Sequence, residues 1–538
     1  MPSTLAAALS EQMSTLTADQ RALLLAAALL KGLATPQRLS VALGLDSLSV
    51  ARTISAIPPG VIVSVAADGA LVLHDLWADI AVEDADAPLV IAMAVHLASL
   101  VEREAGAGDR ARLAAAARLY CVARSGVDAR RCLAACVGRP SDHAGAGYYA
   151  TLIRDVLALP GDAASSCQLL HALVLGSFEL GDTESTDRAL IELREVAERT
   201  QPEERAAVSS LLDSAELVGL ELAVARAERP ATLLPRLATI AEDETQEGTT
   251  RLRAGLLGLQ VADNNAEADY LQRFAAAVRT VPPVSLRSRV DAAFSDIVLA
   301  CHRGEFQEAY EAATDRIRIL ETAGLPNSVC AAYRARALVA RRLGAFSEAS
   351  EDLREHERLA ERYASERLRF LGNHARMYLL ADMGRFAELI ALARECEALS
   401  TAVGYGRRQQ IVWADAMAAL ARDDWGVVAT VGPSRATDLA GYPSLLSWMW
   451  WQAAHGLASA LSGDRDAAAS TLDILRPFQS RLLSSGDFDF EIWCQARTYA
   501  ILGQVEAADS LASVALARRN LKFTPVFPLD GGTVRRAL

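Results

Sequence analysis

The chain has 538 residues, a formal net charge of −13, and a composition that is 51% hydrophobic but only 6% aromatic. A large apolar fraction with few aromatic side chains indicates a core of alanine and leucine, which favours helices over sheets. The excess of acidic residues argues against broad electrostatic attraction to nucleic acid or to an anionic membrane surface.

The N-terminal residues predict a small helical domain after a flexible lead-in of residues 1–16. Each expected helix starts at a threonine or aspartate, whose side-chain oxygen accepts a hydrogen bond from the first turn. Proline at the first helical position and glycine after the last one mark the second helix. The expected helices run from Thr17 to Lys31, from Thr35 to Leu43 and from Asp46 to Ala56.

Two short strands, Val61–Val65 and Ala70–Leu73, are expected next, with an Asp68-Gly69 turn between them. Three helices followed by a two-stranded wing predict a winged-helix domain over residues 17–84. Such domains occur both as DNA readers and as protein-packing modules, so the fold alone does not decide between these roles. The third helix offers only Arg52 as a basic group and the wing offers none, which makes DNA binding through Arg52 the weaker interpretation.

A repeat dominates the rest of the chain. It is irregular over residues 85–290, where Val137–Gly147 is the expected flexible joint, and regular over residues 291–538. Turn residues recur there at steps of about forty, each between two apolar helical stretches. Glycine suits these turns because it adopts a left-handed backbone conformation at little steric cost. The turns fall at Gly304, Gly344, Gly384, Asp424, Gly463 and Gly503. We therefore predict an all-α, tetratricopeptide-like solenoid superhelix of helix-turn-helix repeats.

Equivalent positions in such an array form rows along one surface of the superhelix. The polar row, eight residues before each turn, consists of Asp296, Arg336, Arg376, Ala416, His455 and Gln495. The neighbouring row, eleven residues before each turn, consists of Ala293, Tyr333, Asn373, Trp413, Gln452 and Ile492. Since first helices line the concave groove of tetratricopeptide arrays, we predict a ligand or partner groove formed by Tyr333, Arg336, Asn373, Arg376, Trp413, Gln452 and His455.

The alternative is that these polar groups only solvate an exposed helix face. Two other clusters also allow two interpretations. Trp448–Trp451 can form a pocket, although tryptophans on a core helix are usually packing anchors. Cys132 and Cys136 lie one helical turn apart with His143 nearby, but a structural zinc needs four convergent ligands, so no metal site is expected.

No catalytic motif supports an enzyme. The acidic pairs Glu351-Asp352 and Asp423-Asp424 are expected at turns and helix starts, where negative charge is favourable. No cofactor is expected. The eight cysteines lie scattered along helical segments, which suits a reducing cytoplasm, and no apolar run is long enough to cross a membrane.

The stretch His74-Asp75-Leu76-Trp77 at the end of the second strand resembles a known family. In signal-transduction ATPases a similar motif closes the winged helix, and a superhelix of tetratricopeptide-like repeats follows it. These proteins include the large LuxR-type regulators of the maltose-activator kind and the antibiotic-regulatory proteins of actinobacteria. The resemblance implies a regulatory function.

The family's P-loop requires Gly-Lys-Ser/Thr, and neither lysine, Lys31 or Lys522, stands in that context. The residues after Thr524 are too few for the family's C-terminal LuxR-type DNA-binding domain. The chain is thus expected to match the sensor and arm of such a regulator. One hypothesis is a regulatory module that binds a protein, peptide or small effector and docks on an ATPase or DNA-binding subunit. The other is a stand-alone winged-helix DNA-binding regulator with a repeat sensor.

Overall fold

A computed structural model gives the fold. It describes residues 3–58, 61–66, 69–106, 109–137, 149–226, 230–265, 267–282, 286–322, 326–403, 410–422, 424–430, 445–480 and 489–518. The chain divides into two compact units. One contains residues 1–176 and 191–212, and the other contains residues 177–190 and 213–538. The predicted joint at Val137–Gly147 lies outside the described residues, except for Val137 itself, and the predicted domain boundaries stay predictions.

The N-terminal region contains the three predicted helices. Their bounds are α2 Ala18–Leu30, α3 Pro36–Leu43 and α4 Ser47–Ser55. The predicted caps are confirmed. Thr17 and Gln20 form a reciprocal capping box, and Asp46 accepts hydrogen bonds from the first turn of α4. Gly44 ends α3 with a left-handed φ of 63°.

Residues 3–15 correct the prediction of a flexible lead-in, because they form helix α1, Ser3–Thr15. The physical reason is burial at the helix end. Met13 and Leu16 are 3% and 8% exposed, and α1 packs on the helix that follows the hairpin. The hydroxyl of Ser10 also donates to the carboxylate of Asp84 over 2.7 Å.

Two short antiparallel strands, β1 Ile62–Val65 and β2 Leu71–Leu73, follow α4. Gly69 in the connection has a φ of 83°, as the predicted turn requires; Asp68 lies outside the described residues. His74 then caps helix α5, Asp75–Glu83, by accepting a hydrogen bond from the amide of Leu76 at Nδ1 over 3.3 Å. The His-Asp-Leu-Trp stretch is therefore a strand end and a helix start.

The remaining described elements are α-helices and two short 3-10 helices, Lys31–Leu33 and Arg476–Phe478. From α6 to α15 they are Ala87–Glu104, Arg110–Val122, Gly126–Val137, Ala150–Leu157, Ala163–Leu180, Thr183–Glu198, Arg205–Ala225, Pro230–Glu242, Gly248–Asn264 and Ala268–Thr280. From α16 to α27 they are Leu286–Arg303, Phe306–Thr322, Pro326–Arg342, Phe346–Arg362, Glu366–Asp382, Phe386–Ala402, Gln410–Ala421, Trp425–Thr430, Leu445–Leu461, Arg465–Leu475, Asp489–Ile501 and Val505–Arg518.

The helices after residue 286 alternate as first and second members of repeats, and the predicted turns separate them. All five predicted turn glycines have a φ between 72° and 85°, which is the left-handed region. The small residue five positions after such a turn is fully buried in four repeats, at Ala309, Ala349, Ala468 and Ala508. Small side chains at these points let the two helices approach closely. The prediction of an all-α, tetratricopeptide-like array is confirmed.

Within the second unit, two contacts join segments that are far apart in sequence. Ser365 caps α20 and donates its hydroxyl to the carbonyl oxygen of Glu179, at the end of α10, over 2.6 Å. The side-chain oxygen of Asn265 accepts a hydrogen bond from the amide of Leu445, the first residue of α24, over 2.8 Å. Ser365, Asn265 and Leu445 are all buried.

No described helix singly has both the length and the apolar composition that a membrane crossing requires. Only α5 and α6 together meet the criterion, and the chain bends by 118° between them.

Candidate functional site

Arg336, in the polar row on α18, forms a buried ion pair with α19. Its Nε and Nη2 atoms donate to the two carboxylate oxygens of Asp352 over 2.9 and 2.6 Å. The side chains of Arg336 and Asp352 are 18% and 4% exposed. The hydrogen bond to Asp352 raises the pKa of Arg336. This two-point contact occupies the guanidinium edge that would grip a carboxylate or phosphate.

Tyr333 lies one turn earlier on α18, and its ring is 5.7 Å from the guanidinium of Arg336. A second ring, from Tyr310 on α17, lies 5.8 Å away. The hydroxyl of Tyr333 donates to Glu321. Burial, followed by this hydrogen bond, raises the pKa of Tyr333 above its ordinary value. The structure therefore brings the predicted pair Tyr333 and Arg336 together, in contacts with α17 and α19.

Asn373 and Arg376 on α20 bind the second helices on either side. The side-chain nitrogen of Asn373 donates to Glu395 on α21 over 3.2 Å. Arg376 donates through Nη2 to Glu357 on α19 over 2.7 Å. The two residues thus contact different neighbours, and each has its charge or polarity matched by an acidic side chain.

Trp413 on α22 is half-buried. Its ring meets Tyr378 edge-on, with centroids 5.2 Å apart and an interplanar angle of 71°. It also packs against the largest buried apolar cluster of the C-terminal repeats. No hydrogen bond or ring contact joins Trp413 to the other predicted groove residues in the described part of the chain. Its role as a stacking surface stays a prediction.

The polar row changes character at its C-terminal end. His455 on α24 is half-buried, and its Nε2 atom is buried without a hydrogen-bond partner among the described residues. Gln495 on α26 is 1% exposed, and neither atom of its amide has a partner there. Gln452, one turn before His455, is buried too. Burial lowers the pKa of His455, which keeps its ring neutral near pH 7.

The tryptophan cluster on α24 is a packing anchor. Trp448, Met449 and Trp451 are each at most 2% exposed. Trp450 is half-buried and stacks on Phe490 of α26, with centroids 5.1 Å apart. These rings hold α24 against α26 and thereby fix the positions of His455 and Gln495.

An open cleft of about 310 Å³ lies beside the same helices. Its lining residues are Asp424, Trp425, Gly426, Leu461, Ser462 and Arg497. Arg497 lies two residues after Gln495, with its guanidinium carbon 5.1 Å from the ring centroid of Trp493. The cleft is therefore built from the C-terminal repeats, from α23, α26 and the end of α24.

Arg52, the residue of the DNA-binding alternative, lies exposed in the last turn of α4. It forms no ion pair within the described ranges. Cys132 and Cys136 on α8 are buried, and burial raises the pKa of Cys132 to about 11. His143 lies outside the described residues. No group of three or more histidine, cysteine or acidic side chains that could hold a metal ion occurs in the part of the chain that the structure describes.

His356 on α19 is a buried histidine that the sequence did not single out. Its Nε2 atom is 2.9 Å from the carbonyl oxygen of Leu368, and its Nδ1 atom is 2.9 Å from the carbonyl oxygen and 3.2 Å from the sulfur of Cys330. A neutral ring carries one N–H, so it donates to only one of the two carbonyl oxygens. Burial lowers the pKa of His356.

We expect stability to fall on acidification for this reason. The ordinary pKa of histidine is 6.5, and folding lowers it, so the unfolded chain binds the proton more readily. Stability is then fully present above pH 6.5 and is lost as the pH falls below that value towards the folded pKa. Urea unfolding between about pH 8 and pH 5.5 measures this dependence. His356→Gln should make the curve less steep, with a remaining part from the buried ring of His455, whereas replacing the exposed His96 by glutamine should leave the curve unchanged. An identical slope in both variants would assign the dependence to other groups.

The sequence missed the acidic partners of the predicted arginines. Asp352 was expected near a helix start, but it lies about two turns into α19. Its helical spacing could have indicated burial, because Asp352 is three residues after Ala349 and four before His356 on the buried stripe of that helix. The prediction for Asp424 is confirmed, since its carboxylate accepts a hydrogen bond from the amide of Val427 in the first turn of α23.

The fold and these contacts define an all-α protein of tetratricopeptide-like helical repeats. The sequence matches no protein-family model and no curated protein. The structure is similar to a crystal structure from Pyrococcus horikoshii, a Signal Transduction ATPase with Numerous Domains protein with a tetratricopeptide repeat sensor. The TM-score is 0.38 at 10% identity, and the match covers 88% of this chain and 64% of that chain. A similarity at this level carries no functional assignment.

Proposed function

We propose that the chain is a non-enzymatic signal-sensing module, which binds a protein, peptide or small effector through the first helices of its repeats. The observation that carries the proposal is the contrast within the polar row. Arg336 and Arg376 have acidic partners, whereas His455 and Gln495 keep buried polar atoms without partners in the described structure.

The contrast matters because a buried amide without hydrogen bonds costs about 1–3 kcal/mol. Most buried polar groups in folded proteins have a partner, so an amide that lacks both of its own requires an explanation. A ligand group that reaches α24 and α26 would explain it, because that group would form the missing hydrogen bonds. In this proposal, the C-terminal end of the row receives the ligand, and the ion pairs at Arg336 and Arg376 hold the repeats in register.

The N-terminal domain would dock this sensor on another subunit, such as an ATPase or a DNA-binding protein. Its described surface exposes apolar side chains on two helices and both strands. These are Val41, Leu48, Val65 and Val72, each between 38% and 62% exposed. Exposed apolar groups of this kind favour a protein partner over a phosphate backbone. A place in LuxR-type regulation of transcription belongs to the same proposal.

The second candidate is a winged-helix regulator that binds DNA itself, and the exposed position of Arg52 on α4 favours it. Duplex binding by the full-length chain separates the two candidates. The experiment uses its own upstream region against a scrambled duplex, from about 50 to about 200 mM salt. Specific, salt-sensitive binding that Arg52→Ala removes would replace our proposal. No binding at low salt would support the docking role.

A cytoplasmic location is part of the proposal. All eight cysteines are free thiols, as a reducing compartment allows. Burial raises the pKa of Cys330 and of Cys396 to about 12, which keeps these thiols protonated. Fractionation of the native host, with the protein followed by antibody, tests the location.

Replacing Gln495 by leucine should stabilise the ligand-free protein. The change removes an amide that has no partner among the described residues, at nearly constant volume, so we expect a gain of about 1–2 kcal/mol in the free energy of unfolding. Urea titration measures it. Asn373→Leu is the matched control, because that amide donates to Glu395 and its loss should destabilise the protein. A loss of stability in Gln495→Leu equal to that of the control would show that the amide has a partner, and would count against our proposal.

A further inference from the structure

The cleft at α23, α24 and α26 contains an arginine, Arg497, that has no acidic partner among the described residues. Arg497 forms no ion pair within the described ranges, and its Nε atom is buried without a hydrogen-bond partner there. Other arginines in the C-terminal repeats are matched, as Arg336 is by Asp352 and Arg476 by Asp473. A guanidinium in this state is ready to bind an anionic group with charge-assisted hydrogen bonds.

The same cleft contains a carboxylate. One oxygen of Asp424 caps α23 by accepting a hydrogen bond from the amide of Val427 over 3.2 Å. Asp424 is exposed, and it forms no ion pair with Arg497, although both line the cleft. Two opposite charges therefore face one small space and do not neutralise each other.

Two buried tryptophan rings pack beside the cleft. The ring of Trp493 lies beneath the guanidinium of Arg497, and its centroid is 6.4 Å from that of Trp425, which lines the cleft. Trp493 and Trp425 are 4% and 8% exposed. Rings packed in this way restrict the directions that Arg497 can take, so binding a ligand orders little additional structure.

We propose that this cleft binds a small zwitterion, a free α-amino acid, with its carboxylate on Arg497 and its ammonium group on Asp424. The inference rests on the proposed sensing function and names an effector for it. The cleft lies beside the C-terminal end of the polar row, since Arg497 is two residues after Gln495 on α26. The volume of about 310 Å³ lies at the lower end of small-molecule sites. A phosphate would meet a single guanidinium together with the repelling charge of Asp424, whereas a zwitterion satisfies both charges.

Isothermal titration calorimetry of the full-length chain with each standard L-α-amino acid tests the proposal. We expect at least one to bind. The amide of that amino acid, which lacks the negative charge, and the matching acid without the amino group should each bind at least about tenfold more weakly. Equal binding of either analogue would overturn the assignment of charges, and no binding by any amino acid would overturn the proposal.

Substitutions of the two charged cleft residues test where the amino acid binds. Arg497→Gln should weaken binding at least about tenfold, and Arg497→Lys should restore part of it. Asp424→Asn should also weaken binding, because it removes the charge but keeps a side chain that caps the helix. The matched controls Arg476→Gln and Asp473→Asn alter an exposed pair outside the cleft and should leave affinity unchanged. Unchanged affinity in the cleft variants would overturn this site. Such a result would not overturn the proposed sensing function, because the stability of Gln495→Leu tests that function independently.

Discussion

Replacing Asp352 by alanine should lower the free energy of unfolding by about 3–5 kcal/mol, because it leaves the guanidinium of Arg336 buried without its partner. The two side chains are only 18% and 4% exposed, and two hydrogen bonds of 2.9 and 2.6 Å join them. The remaining contacts of Arg336 are a 3.4 Å hydrogen bond to Thr314 on α17 and the rings of Tyr310 and Tyr333, and none of them supplies a negative charge in place of the lost carboxylate.

Urea titration gives the overall effect, and hydrogen exchange of peptides from α18 and α19 gives the local one. Asp473→Ala is the matched control, since it breaks an exposed ion pair and should change stability by about 0.5 kcal/mol or less. Combining Asp352→Leu with Arg336→Met removes both charges and should recover most of the loss. Equal, small effects for Asp352→Ala and the control would mean that Arg336 is free to serve a ligand instead.

Replacing Gly181 by alanine should destabilise the second unit by about 3 kcal/mol through two separate costs. Gly181 has a φ of 89°, where a side chain is strained. An added Cβ would also lie 2.8 Å from a methyl group of Val403 and 3.2 Å from the backbone nitrogen of Arg367. Neither neighbour can give way easily, since Val403 is buried and Arg367 belongs to the first turn of α20.

Gly304→Ala separates the two costs. Gly304 has a similar φ of 78°, but nothing lies within 4 Å of an added Cβ, so only backbone strain of about 1–2 kcal/mol is expected. Thermal and urea unfolding of the two variants should therefore differ clearly. Equal losses in the free energy of unfolding for Gly181→Ala and Gly304→Ala would refute the close contact between the end of α10 and the start of α20.

Much of the architecture could be predicted from the sequence because local chemistry determines it. Thr17, Asp46 and the turn glycines act within a few residues of themselves, and each was found in the expected conformation. Helix α1 was missed for the opposite reason. Its polar and alanine-rich sequence gives little helical pattern, and it is positioned by α5, which lies about seventy residues later.

The candidate groove was predictable only in position. The repeat register placed Arg336 and Arg376 on first helices, where the structure has them, but it could not show that Asp352 and Glu357 on α19 bind them. Ion pairing between helices depends on side-chain directions that periodicity does not specify. The lack of an ion-pair partner for Arg497 within the described ranges likewise depends on all the side chains around it, and no sequence motif indicates it.

The hydrogen bonds from Ser365 to Glu179 and from Leu445 to Asn265 have a consequence for the order of folding. In a simple repeat array each repeat needs only its neighbours, and folding spreads from any starting point. Here Asn265 receives its backbone partner only when the chain has been made as far as Leu445. We therefore expect the contacts of Asn265 to be completed late in synthesis, and the second unit to unfold with more cooperativity than a chain of independent neighbours.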